Sequence, residues 1–133
     1  MKYLDLADYL VIAGAILNVE PETLLHYVDL HLAESALAAP TAAFGGTEFY
    51  QEFHVKAAVL GWHLVKNHPL PDGNKRAGFI SMVEFVERNG HIWCPPENDL
   101  QSEGEETVKT IEGVASGAKT VEQLADWIRD RIE

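Results

Sequence analysis

Nine consecutive residues, His68-Pro69-Leu70-Pro71-Asp72-Gly73-Asn74-Lys75-Arg76, bring together an imidazole, a carboxylate, a glycine, a primary amide and two cations. Imidazole is the side chain best suited to take a proton near neutral pH. Gly73 permits a tight turn and lets a ligand approach the backbone. A helix opening directly after it presents unpaired N–H groups and a partial positive charge, which together make an anion site. Lys75 and Arg76 add full charges in that first turn, where cations oppose the helix dipole by roughly 0.3–1 kcal/mol each at exposed sites. A bound anion offsets that repulsion, and the Asn74 amide can donate to a phosphate oxygen. Taken singly, each residue has a plainer use: Asp72 as an N-cap, His68 as a loop histidine bonded to backbone, Asn74 as a turn residue, the cations as solvated surface. The loop is inert only if all of these hold at once, so the cluster points to the handling of a phosphate.

Composition narrows the ligand. The 133-residue chain carries a net charge of −11, which argues against broad binding to a nucleic-acid backbone. Between Trp62 and Ser81, however, Lys66, Asp72, Lys75 and Arg76 leave a local charge of +2, suited to a small anion. Cys94 is the only cysteine, so no intramolecular disulfide forms and a reducing compartment is expected. No basic-then-apolar leader is visible, and no apolar run reaches the roughly 18 residues of a membrane span. These features lead us to expect a cytoplasmic protein without membrane or nucleic-acid partners. The remaining histidines, His26, His31, His54, His63 and His91, lack the spacing of a metal site, and none is expected. His63 is expected to pack or bond near His68, and Trp62, Trp93 and Trp127 to anchor the core.

The elements that must position the loop are helical. Leu6, Tyr9, Leu10, Ala13, Ile16 and Leu17 share a face after Asp5, a candidate N-cap, and Pro21 suits the first turn of a second segment. Leu32 to Ala39 reads as a short helix stopped near Pro40, followed by a glycine-bearing loop, Thr41 to Thr47, with at most a little extended structure and no hairpin signal. Phe53, Ala57, Leu60, Gly61 and Leu64 form a buried stripe that must end before Pro69. A further helix starts at Gly73 or Asn74, with Phe79, Met82, Val83 and Val86 on its apolar face and Arg88-Asn89-Gly90 at its end. His91 to Asp99 reads as a turn-rich connection. Helices over about Glu103–Ala115 and Val121–Ile132 follow, the latter with Val121, Leu124, Ala125, Ile128 and Ile132 on one face. The expectation is a single all-α domain over residues 1–133.

HPLPDGNKRAG resembles the signature of the Fic/Doc family, and Glu34-Ser35-Ala36-Leu37-Ala38-Ala39-Pro40, Phe44-Gly45-Gly46 and Lys56-Ala57-Ala58 are similar to its Doc-type (death-on-curing) branch. The resemblance covers about Leu32 to Gly90 and implies the compact helical Fic/Doc fold with a loop–helix phosphate-binding motif. It implies that His68 takes the proton of a target hydroxyl and that Asp72 helps hold Mg²⁺ on the phosphates of ATP. Gly73, Asn74 and Arg76 fall where the family cradles phosphate oxygens. Lys75 occupies the position where AMP-transferring members carry Gly and Doc-type members carry Lys, and Lys66 falls on a Doc-type basic position. Leu70 stands where Phe is usual, filling the same apolar pocket more loosely.

The resemblance therefore implies a kinase that moves the terminal phosphoryl group of ATP to a Ser or Thr of a translation factor of the elongation factor Tu type, blocking protein synthesis. The alternatives are AMP transfer to a protein hydroxyl, a nucleotide- or antitoxin-binding module without turnover, and a plain helical interaction domain. Pro40–Tyr50 resembles the family flap that pairs with an extended target strand; an ordinary connecting loop is the other reading. Many Fic proteins restrain themselves with a Ser/Thr-x-x-x-Glu-Gly/Asn helix. Here Val108 precedes Glu112-Gly113 at that spacing, so restraint is expected in trans, from the antitoxin of a toxin–antitoxin pair.

Overall fold

Three of the described α-helices begin where the sequence offers a side-chain oxygen to unpaired backbone amides. A computed structural model describes residues 1–97 and 104–133. Helix α1, Leu6–Leu17, opens on a reciprocal cap in which Asp5 accepts from the Asp8 amide and Asp8 from the Asp5 amide, both at 2.9 Å. Pro21 starts the short α2, Pro21–Leu24. Asp29 caps α3, Leu30–Ala38, through the Leu32 amide at 3.0 Å, which starts this helix two residues before the expected Leu32. A 3₁₀ turn, Ala39–Thr41, carries the chain past Pro40.

Next comes a hairpin of β1, Ala43–Phe44, and β2, Thr47–Glu48, which the sequence analysis did not expect. Gly45 and Gly46 take φ of +60° and +83°, the left-handed pair that closes a two-residue antiparallel turn. Strands of two residues are too short to show alternation, so only the Gly-Gly pair carried the signal.

The two central helices are α4, Phe53–Asn67, and α5, Asn74–Arg88. The run Lys56–Gly61 in α4 is buried on every side, as befits a helix packed against α3, α5 and the two C-terminal helices. Two glycines let α4 and α5 approach. A Cβ on Gly61 would stand 3.0 Å from the Met82 sulfur, and one on Gly78 would stand 2.6 Å from Val65 Cγ2. Helices α6, Glu105–Ser116, and α7, Val121–Arg129, complete the fold, the latter opening on a Thr120–Gln123 capping box. Glu103, the expected start of α6, and Asn98 and Asp99 of the expected connection lie outside the described residues.

Helix α7 stops short of Ile132 because the tail turns to pair with the segment after α5: the Ile92 and Glu133 amides each donate to the other's carbonyl at 2.9 Å. Trp93 packs against Phe79 and Trp127, with ring centroids 5.8 and 5.6 Å away. One hydrophobic cluster takes side chains from Leu4 to Ile128, and the all-α architecture expected from periodicity is what forms. No described helix is long and apolar enough to cross a membrane.

Candidate functional site

The loop between α4 and α5 is held at nearly every residue. His68 ends α4 in the left-handed conformation, φ +51° and ψ +55°, which frees the chain to turn before Pro69. A residue with a Cβ rarely adopts it, and doing so costs about 1–2 kcal/mol. The Pro69 carbonyl accepts from the Asp29 amide at 2.8 Å, tying the loop to the start of α3. The Leu70 side chain, 4 % exposed, fills the apolar pocket expected of it. Gly73, at φ +78°, lies against α1, where a Cβ would meet Leu17 at 3.2 Å.

Asn74 is the clamp. Its Oδ1 accepts from the Leu70 amide and its Nδ2 donates to the Leu70 carbonyl, both at 2.9 Å. Nδ2 also lies 3.3 Å from His68 Nδ1. Because the two Leu70 bonds fix which end of the amide is which, Nδ1 faces a donor and the neutral ring keeps its proton on Nε2. Of the two uses the sequence left open for this amide, a phosphate donor and a turn residue, these bonds show the second: it is buried and engaged in organising the loop and the histidine. The reason is geometric: a left-handed turn at His68 folds the Leu70 backbone over the first residue of α5.

The start of α5 remains open. Gly73 occupies its N-cap position and offers no side chain, so Asp72 is not the cap. The first amides of the helix therefore point outward without a side-chain partner. Lys75 and Arg76 are exposed on the same turn and enter no ion pair among the described residues. Two uncompensated cations thus sit at the positive end of a helix.

His68, Asp72, Gly73, Asn74, Lys75 and Arg76 line one side of a cavity of about 420 Å³. Phe79, one turn further along α5, and Thr107, Val108, Ile111 and Glu112 of α6 line the other. The sequence gave Phe79 to the core face and did not place α6 over the loop. With Val108 in place of Ser or Thr before Glu112-Gly113 no restraining helix was expected, yet Val108 and Glu112 both line the cavity. Lys66 is not part of its lining; its ammonium lies 5.8 Å from the centroid of the Trp62 ring. His63 packs and bonds as expected of it: its Nδ1 lies 2.8 Å from the Val59 carbonyl within α4 and its ring meets Trp62 edge-on.

One carboxylate, Asp72, beside the uncapped amides that open α5 suits Mg²⁺, which binds through one or two carboxylates and substrate phosphates rather than a dedicated cage. No group of three or more His, Cys, Asp or Glu among the described residues could hold a metal alone. The residues present fit a cation brought in with a nucleotide.

A helical domain with a histidine ending one central helix, and an uncapped, cation-bearing start to the next, defines the class. A family model described as the Fic/DOC family matches residues 3–86, and this chain belongs to that family. It is similar to Toxin Doc of Mycolicibacterium smegmatis, with 35% identity over 89 residues covering 67% of this chain. The match spans 65% of that relative, a little under two thirds of its length.

Proposed function

We propose that this protein is the toxin of a toxin–antitoxin pair and transfers the terminal phosphoryl group of ATP to a Ser or Thr hydroxyl of elongation factor Tu. The observation that carries the reading is the uncapped start of α5, with unpaired Lys75 and Arg76 beside His68 in one cavity. The likeness to Toxin Doc supports the toxin role and, with it, an antitoxin that covers the site.

In the proposed reaction the hydroxyl oxygen bonds to the γ-phosphorus while the bond to the bridging oxygen breaks and ADP departs. The hydroxyl proton passes to His68. For Nε2 to accept it, the ring must release Asn74 and carry its own hydrogen on Nδ1; His68 is exposed, so packing does not oppose that change. The amides of α5, with Lys75 and Arg76, hold the phosphates and stabilise charge on the transferred group. Mg²⁺, held by Asp72 and the nucleotide, would supply further charge neutralisation. The exposed hairpin, with Phe44 81 % accessible, receives an extended segment of the target.

The test is transfer to purified elongation factor Tu from ATP labelled at either the α or the γ phosphate, read by intact mass. Phosphoryl transfer adds about 80 Da with γ label, whereas AMP transfer adds about 329 Da with α label. Binding of Mg·ATP with no mass change would mark a module without turnover. His68→Ala is expected to abolish transfer and leave the fold intact; near-wild-type labelling by that variant removes the histidine from the mechanism.

A further inference from the structure

We propose that Lys56 is a positioning residue that fixes the β1–β2 hairpin to α4, and so sets the surface that receives the target. This rests on the hairpin's role as the docking element given above. Lys56 is 2 % exposed, although lysine rarely enters a protein interior. Its ammonium donates to the Pro40 carbonyl at 3.3 Å and pairs with the Glu48 carboxylate at 3.3 Å. It also lies over the Tyr3 ring, 5.8 Å from the centroid. Pro40 lies in the 3₁₀ turn that leads into β1 and Glu48 ends β2, so one side chain ties the entry to the hairpin to its returning strand.

The hairpin has little else to hold it. Ala43, Phe44, Thr47 and Glu48 are all exposed, so none of its residues is anchored in the core. The other tie across its base is the bond from the Phe49 amide to the Ala42 carbonyl, at 2.9 Å. A methionine would fill the space beside α4 without stripping water from a charge, which is commonly the more stable solution. The charge at Lys56 therefore serves the hairpin rather than the core. Because α4 is the helix that ends at His68, the same rigid element carries the hairpin's anchor and the reactive imidazole.

Hydrogen exchange followed by NMR on the full chain tests the anchor without reference to activity. Lys56→Met is expected to speed exchange of the Phe49 amide by about tenfold, the consequence of losing a charge-assisted bond, with α5 amides unchanged. With elongation factor Tu as substrate, KM should rise by about the same factor while kcat and Mg·ATP affinity hold. Lys56→Arg, which keeps the charge, should recover most of the loss. If Lys56→Met does not fold, Glu48→Gln at the half-exposed end of the pair gives the same readout. Unchanged Phe49 exchange in both variants overturns the anchor, and faster exchange with an unchanged KM overturns its link to the target. If the wild-type protein modifies no elongation factor Tu, the proposed reaction fails while the exchange data still decide the anchor.

Discussion

Replacing Asn74 by alanine removes the amide that closes the loop, and its cost can be worked from the contacts. The change strips the Leu70 amide and carbonyl of their 2.9 Å partners inside a buried segment and releases His68 Nδ1. Leaving a buried polar group unpaired costs about 1–3 kcal/mol, and partial access of water to the loop favours the lower half of that range. The sum for two groups is about 2–4 kcal/mol. For a chain of 133 residues, whose unfolding entropy is roughly 0.28 kcal/mol/K, that lowers Tm by about 7–14 °C. A domain of this size has about 5–15 kcal/mol to lose, so the variant should stay folded at 25 °C and remain assayable. Urea unfolding gives the free energy, and labelled-ATP transfer gives the activity. We expect transfer to fall by at least about a hundredfold, not through the released Nδ1 but because the loop that carries His68 loses the bonds that fix the Leu70 backbone, and a misplaced catalytic group commonly costs that much. A stability change under about 0.5 kcal/mol together with unaltered transfer would refute the clamp.

Three further outcomes follow from the same geometry. Arg76→Ala should weaken Mg·ATP binding by about tenfold or more through loss of a charge-assisted phosphate contact, yet raise the stability of the free protein by about 0.3–1 kcal/mol, since a cation leaves a helix N-terminus. Calorimetry and thermal melts read the two opposed signs, and loss of both affinity and stability would contradict the anion site. Burial pushes the Asp8 carboxyl up, but the Asp5 amide and the Arg88 guanidinium at 2.9 Å outweigh it and hold the pKa below its usual 3.8. The stabilisation is present above pH 3.8 and lost as pH falls through the lowered value, so the gap between wild type and Asp8→Asn, about 1 kcal/mol for this part-exposed pair, should close in acid. Phe44→Asp should weaken modification of the target while Mg·ATP affinity is unchanged; unaltered KM for elongation factor Tu would remove the hairpin from docking.

The nine-residue cluster and the helices flanking it were legible because their causes are local. The cap at Asp5 acts within three residues, proline acts on its neighbour, and the stripe of α4 repeats every three or four positions. From these alone the chain determined an all-α fold with one central helix ending before Pro69 and the next opening at Gly73 or Asn74. What the amide of Asn74 does was not legible, since a free helix-start amide and a clamp on Leu70 have the same sequence. The left-handed turn at His68 decided between them. Nor could spacing show that Val108 and Glu112 line one cavity with Arg76, that Lys66 turns to Trp62, or that Lys56 reaches Glu48. The first joins residues far apart in the chain and the other two depend on which way a side chain turns; the packed core, in which α4 and α5 approach through Gly61 and Gly78, decides all three.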